Sequence, residues 1–100
     1  MDGIKEITVE ELKEKMQHEK IILVDVRDAE DYEKQHIPSA VFLDQYNFNE
    51  FVEETDKKQT IVVHCYRGNR SKKTVLRLMG KGFREVYNLT GGFTDWANKA

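Results

Sequence analysis

The one cysteine of this 100-residue chain lies in the run Ile61-Val62-Val63-His64-Cys65-Tyr66-Arg67-Gly68-Asn69-Arg70-Ser71. An apolar strand delivers the thiol into a short loop containing a glycine, and a helix is predicted to begin where the loop ends. Successive N–H groups of residues 66–71 can converge on one point as a nest, and the first helical turn adds partial positive charge. Arg67 and Arg70 add two full charges. A free cysteine titrates near pH ~8.5, so only a few per cent is thiolate at neutrality. A helix terminus contributes about 1 kcal/mol and each nearby arginine about as much again, together enough to favour the thiolate at pH 7. A lone cysteine is most often a core residue. The two arginines, Gly68 and the strand-to-helix context set this one apart and predict covalent chemistry at Cys65 on a small oxyanion.

The elements that must position this loop alternate regularly. Residues 4–7 are predicted as a strand, and Thr8 with Glu11 forms a capping box that starts a helix through about Gln17, with Leu12 and Met16 inward. Residues 21–26 are a continuous apolar run typical of a strand buried on both faces. A polar helical piece follows from Asp28 to about Gln35, with Pro38 beyond it. Residues 40–43 are a third strand, and 47–54 a short helix carrying Phe48, Phe51 and Val52. Residues 60–64 make the fourth strand, 70–79 a helix stopped by Gly80 and Gly82, and 85–89 the fifth strand. A last helix runs from Gly92 to the C-terminus. Five strands with interleaved helices predict an α/β fold, a three-layer α/β/α arrangement around a mainly parallel five-stranded sheet, with residues 1–100 forming one domain. Sites in such sheets lie beyond the C-terminal strand ends, where Cys65 sits.

Charge is unevenly distributed. Residues 1–64 carry 16 acidic and 8 basic side chains, whereas residues 65–84 carry seven basic and no acidic ones. A positive element on an acidic body focuses small anions toward the Cys65 loop. The acidic remainder argues against a nucleic-acid partner, and Lys81 and Arg84 are most simply a solvated helix face. No stretch approaches the ~20 apolar residues of a membrane span, and Met1 to Glu6 lacks the pattern of a signal peptide. A single cysteine fits a reducing, cytoplasmic setting and leaves no resolving thiol, so any sulfur species on Cys65 must be discharged by an outside molecule.

The other candidates have more modest roles. Strand alternation turns His64 to the face opposite its neighbours, which suits a packed, loop-supporting histidine better than a general base. His18 and His36 are too far apart in sequence to build a metal site with one cysteine, and no metal is expected. Asp25 and Arg27 lie at a strand end near the site and read as structural support, Arg27 pairing with an acid such as Asp31 or Glu30. Phe93 and Trp96 are core residues of the closing helix. Tyr66 shapes the entrance or meets an acceptor, and Ser71 either caps the helix or donates to the anion.

Three segments resemble the single-domain rhodaneses, sulfurtransferases of the thiosulfate type. They are Asp25-Val26-Arg27 with Asp31-Tyr32 and residues 36–40; the loop from Cys65 to Ser71; and Gly91-Gly92-Phe93-Thr94-Asp95-Trp96. Their order and spacing match over essentially the whole chain. Gln35 and Ser39 depart from it, standing where the family usually has glycine. The resemblance implies a two-step transfer without cofactor: the Cys65 thiolate takes the outer sulfur of thiosulfate, sulfite leaves, and the persulfide passes its sulfur to cyanide, a thiol or a thioredoxin-like acceptor. It implies Cys65 as nucleophile, a substrate cradle of Tyr66, Arg67, Gly68, Asn69, Arg70 and Ser71, with Arg70 pointing into the loop, and support from Asp25 and Arg27. Two other chemistries compete. A persulfide carrier fed by a protein donor would use the same cysteine. Cysteine-dependent phosphatases, like arsenate reductases, use a similar anion loop, but the phosphatase loop has five residues between cysteine and arginine. Here four separate Cys65 from Arg70, giving a narrower mouth.

Overall fold

The computed structural model describes residues 3–99; Met1, Asp2 and Ala100, which the sequence reading placed in the N-terminal segment and the last helix, lie outside the described residues. Ten elements alternate along the chain: β1 (Lys5–Ile7), α1 (Val9–Met16), β2 (Ile21–Asp25), α2 (Ala29–Lys34), β3 (Val41–Phe42), α3 (Phe48–Glu54), β4 (Thr60–His64), α4 (Ser71–Gly80), β5 (Val86–Leu89) and α5 (Gly92–Asn98). The strands form one sheet in the order β1-β5-β4-β2-β3, and every neighbouring pair is parallel. Expected elements and observed ones agree to within a residue or two at their ends.

Alternation along the central strands builds two cores. Val24, Ile61, Val63 and Val86 face one side, where Phe48 of α3 and Val75 and Leu78 of α4 cover them. Leu23, Val62 and Leu89 face the other, against Val9 and Leu12 of α1 with Phe93 and Trp96 of α5. The sheet is thus buried on both faces, which is why β2 and β4 read as unbroken apolar runs. The capping box at Thr8 is formed in both directions: Thr8 Oγ1 accepts from Glu11 N at 3.1 Å and Glu11 Oε1 from Thr8 N at 2.9 Å. Gly82, at φ 98°, closes α4 in a conformation that side chains resist. Among the described residues no helix is long and apolar enough to cross a membrane.

Parallel register carries Asp25 of β2 level with His64 of β4, so both strands end together beside the Cys65 loop. The two positions where glycine is usual diverge. Gln35 sits at φ −166°, extended backbone open to any residue. Ser39 holds φ 71° and is exposed, a left-handed conformation that costs a side chain about 1–2 kcal/mol. Part of that cost is returned by the stiffer unfolded chain. Ser39→Gly is therefore expected to raise stability by roughly 0.5–1 kcal/mol, measured by urea unfolding; a destabilised variant would show that Ser39 is held by more than its backbone.

Candidate active site

Cys65 follows the last residue of β4, and its side chain is buried at 1% exposure. Its Sγ lies 3.3 Å from the backbone N of Gly68 and 3.3 Å from Ser71 Oγ. Burial pushes the thiol pKa up, but the Ser71 hydroxyl and the N–H groups of Ser71, Gly68 and Arg67 outweigh it, and the net direction is down. The thiol therefore ionises at lower pH than an ordinary cysteine. The sequence reading credited Arg67 and Arg70 with much of this effect. The largest causes of the lowering are the loop's own dipoles, and the Arg70 guanidinium adds a smaller coulombic coupling to Cys65.

What curls the loop is a set of ties on its outer side. At the start of α5, Phe93 N donates to Cys65 O at 2.9 Å and Thr94 N to Tyr66 O at 3.0 Å. Asn88 Nδ2, from β5, donates to Gly68 O at 2.8 Å. With these carbonyls held outward, the intervening N–H groups are free to face Sγ. Glycine is required at two places. Gly68 is at φ 96°, and a Cβ there would meet Leu89 O at 3.1 Å. A Cβ at Gly92 would stand 2.7 Å from Cys65 O and from Tyr66 C and O. The close approach that lets α5 grip the loop thus depends on Gly92 having no side chain.

Asn88 was not singled out in the sequence, since an asparagine in a strand carries no motif. Only the fold places it under the loop, 1% exposed. Its Nδ2 also donates to Glu6 Oε1 at 3.1 Å, and its Oδ1 accepts a short hydrogen bond from Ser71 Oγ. One carboxamide thus holds both the loop carbonyl and the hydroxyl nearest the thiol.

Two expected placements need correction, and one of the two roles open to Ser71 drops out. Arg70 does not point into the loop: Nη2 is 2.8 Å from Asp28 Oδ1 and 3.4 Å from Val26 O, with the guanidinium 5.6 Å from the Tyr66 ring. The Asp28 carboxylate raises the Arg70 pKa, and Arg70 lowers that of Asp28. The exposed guanidinium takes the carboxylate of Asp28 beside it. Arg27 pairs not with Asp31 or Glu30 but with Asp25, Nη2 to Oδ2 at 2.9 Å. Residues two apart at a strand end share a face, which brings them together. Arg27 also donates to Gln35 O at 2.6 Å and stacks 4.0 Å from the Phe93 ring. Ser71 does not cap α4; Arg70 occupies the N-cap without a side-chain bond.

The remaining residues fall around this centre. Tyr66 turns its hydroxyl to Asp31 Oδ2 and accepts from Asp28 N at 3.2 Å, bolting the loop to α2. Its hydroxyl proton, shared with the Asp31 carboxylate, is held more tightly than usual. Arg67 and Asn69 are exposed, and the Arg67 side chain makes no polar contact among the described residues. His64 is fully buried, 6.4 Å from the Phe93 ring, with Nδ1 3.3 Å from Cys65 O and Nε2 3.7 Å from Asp25 Oδ2. Desolvation lowers its pKa against the opposing pull of Asp25, so it packs as a neutral ring. Among the described residues no group of three histidines, cysteines or carboxylates is placed to hold a metal ion.

A parallel α/β sheet with a buried, acidified cysteine at the end of its central strand, ringed by backbone donors, defines a class of anion-loop cysteine proteins. Residues 8–99 match the Rhodanese-like domain, and the chain belongs to that family. It is 44% identical over 75 residues to the thiosulfate sulfurtransferase GlpE of Pseudomonas syringae pv. syringae, covering 75% of this chain and 71% of that one. Against the Coxiella burnetii (strain RSA 331 / Henzerling II) protein of the same name, identity is 38% over 92 residues, 92% of this chain and 86% of that one. The crystal structure of a rhodanese-like domain protein from Staphylococcus aureus superposes with a TM-score of 0.81 at 31% identity, covering 93% and 91% of the two chains.

Replacing Asn88 by alanine leaves the buried Gly68 carbonyl and the Ser71 hydroxyl without their partner, at a cost of about 1–3 kcal/mol. Asn88→Ala is expected to lower stability by that amount and to slow alkylation of Cys65 at pH 7. Unchanged alkylation would show that the loop keeps its curvature without the carboxamide.

Proposed function

We propose that the protein is a thiosulfate sulfurtransferase working through a persulfide on Cys65. The observation that carries this reading is the thiol itself. It is buried at the floor of a loop, with the Gly68 N–H and Ser71 Oγ each 3.3 Å from Sγ, and its pKa is lowered by the loop's hydrogen bonds. The relatives named above, which bear the name thiosulfate sulfurtransferase, agree with it.

In the first step the Cys65 thiolate attacks the outer sulfur of thiosulfate. A new S–S bond forms, the old one breaks, and sulfite leaves with the electron pair. Two anions must meet, and the loop amides, of which those of Arg67, Gly68 and Ser71 already reach Sγ, offset their repulsion without reorganising. The exposed Arg67 side chain is free to meet the departing sulfite end, and Arg70 is recruited once the donor outbids Asp28 for it. Asp25 and Arg27 act from behind, as a neutralised pair that fixes the end of β2. The same amides hold the persulfide anion until a thiol, a thioredoxin-like protein or cyanide removes its outer sulfur. The narrow mouth suits a single sulfur atom reaching a buried Sγ, and this favours sulfur over phosphoryl transfer. No cofactor enters the scheme. A lone thiol that must be regenerated from outside suits a reducing compartment such as the cytoplasm, and residues 1–100 act as one rhodanese-like unit without need of nucleic acid or membrane.

Intact mass of the reduced protein after incubation with thiosulfate tests the reading. One added sulfur atom is expected in the wild type, reversed by cyanide and absent in Cys65→Ser. A wild-type mass that never changes, with cleavage of an aryl phosphate instead, would overturn it. Arg67→Ala is expected to raise KM for thiosulfate about tenfold with a smaller effect on kcat, by loss of one charge-assisted contact; an unchanged KM removes Arg67 from binding.

A further inference from the structure

Beside the Cys65 loop lies a cleft of about 420 Å³, a size ordinary for a small-molecule site. Its walls are the segment after β2, the turn between β3 and α3, and one face of α4. Positions 70, 74 and 77 recur at helical spacing, so Arg70, Thr74 and Arg77 line that face in a row. Arg70 belongs to both the loop and the cleft. Whatever occupies the cleft therefore sits next to the mouth through which a persulfide must be discharged.

The charges of the cleft do not all cancel internally. Arg27 is taken by Asp25 and Arg70 by Asp28. What remains is one guanidinium, Arg77, and one carboxylate, Asp44. Arg77 lies 3.9 Å from the Phe48 ring centroid and has no ion-pair partner among the described residues. A stacked guanidinium keeps its edge free for a bidentate carboxylate. Asp44 uses Oδ1 to accept from the N–H groups of Tyr46 and Asn47, and has no cation against it among the described residues. Phe42 and Phe48 also line the cleft, and Tyr46 stands on the turn with 86% of its surface exposed and no partner for its hydroxyl among the described residues. One unpaired positive and one unpaired negative charge in a cleft that aromatic residues also line are the complement of a small zwitterion.

We infer that this cleft is the acceptor subsite, and that it takes a small zwitterionic thiol, an amino acid or short peptide bearing one. The inference rests on the sulfurtransferase reading for its chemistry and deepens it by naming the acceptor class. The acceptor's carboxylate meets Arg77, its ammonium meets Asp44, and its thiolate is presented past Arg70 to the persulfide. That thiolate attacks the outer sulfur of the Cys65 persulfide. A new S–S bond forms on the acceptor, the bond from Sγ breaks, and Cys65 departs as a thiolate. One persulfide anion and one thiolate enter and the same two species leave, so no oxidant or reductant is consumed.

Four thiols separate the contributions: cysteine carries both charges, 3-mercaptopropionate only the carboxylate, cysteamine only the ammonium, and 2-mercaptoethanol neither. Comparing variant with wild type for each thiol cancels differences in intrinsic thiol reactivity. Arg77→Gln is expected to raise KM about tenfold for cysteine and 3-mercaptopropionate, and less than twofold for the other two. Asp44→Asn keeps the turn's acceptor oxygen and is expected to penalise cysteine and cysteamine instead. Arg77→Lys restores much of the preference for carboxylates. Uniform changes across the four thiols, or none, overturn the assignment. Binding is read independently of transfer by NMR titration with S-methylcysteine, which has no reactive thiol. Saturable shifts at residues 44–48 and Arg77, lost in Arg77→Gln, are expected, and their absence in the wild type overturns the subsite. Intact S-methylcysteine binding without any Cys65 persulfide would reject the sulfurtransferase reading alone.

Discussion

Everything at the Cys65 loop depends on its carbonyls being held from outside. The first two are taken by N–H groups at the start of α5, and that of Gly68 by the Asn88 carboxamide. A peptide whose oxygen is fixed outward has its N–H fixed inward, so the tie on Tyr66 O turns the Arg67 N–H toward Sγ. The ties on Cys65 O and Gly68 O hold the curve that also brings the Gly68 and Ser71 N–H groups into this donor ring. The ring is built before any anion arrives, which is the condition for backbone dipoles to stabilise charge without reorganising. Gly92 makes the grip possible by bringing α5 against the loop closer than any side chain would permit.

The buried charges behind the loop serve the same constraint. Asp25 and Arg27 end β2 as a pair with several hydrogen bonds between them, and Arg27 is further held by Gln35 O and the Phe93 ring. Removing one partner of such a pair strands the other in low dielectric, at a cost of several kcal/mol. His64 fills the remaining space as a neutral ring. Its lowered pKa carries a sign: the stability it provides is complete above the ordinary histidine range and is lost as pH falls through its depressed folded value. The full charges nearest the mouth are bound elsewhere or exposed, Arg70 with Asp28 and Arg67 toward solvent. A permanent cation against Sγ would hold the thiolate in its resting state, whereas mobile guanidiniums can follow the substrate.

Much of this was legible in the sequence because it is local. The capping box at Thr8, the apolar runs of β2 and β4, the glycine stop after α4 and the cysteine-to-serine loop each depend on residues close together in the chain. Ser39 and Gln35 were both marked by the family resemblance as standing where glycine is usual, and only Ser39 has the left-handed backbone. What stayed hidden depends on register between strands distant in sequence. Asn88 reaches Gly68 only because β5 lies beside β4, and no periodicity distinguishes it from a strand residue facing solvent. The partners of Arg70 and Arg27 were misjudged for a related reason. Long flexible side chains choose among several carboxylates by geometry, and spacing along the chain does not rank those choices.

The central claim is that fixed dipoles, more than arginine charges, acidify Cys65. The pH dependence of Cys65 alkylation by iodoacetamide tests it, measured in wild type, Ser71→Ala and an Arg67→Ala/Arg70→Ala double variant. Loss of the Ser71 hydroxyl is predicted to move the titration to higher pH, while the double variant stays close to wild type. A titration that moves upward in the double variant and stays put in Ser71→Ala would contradict the account.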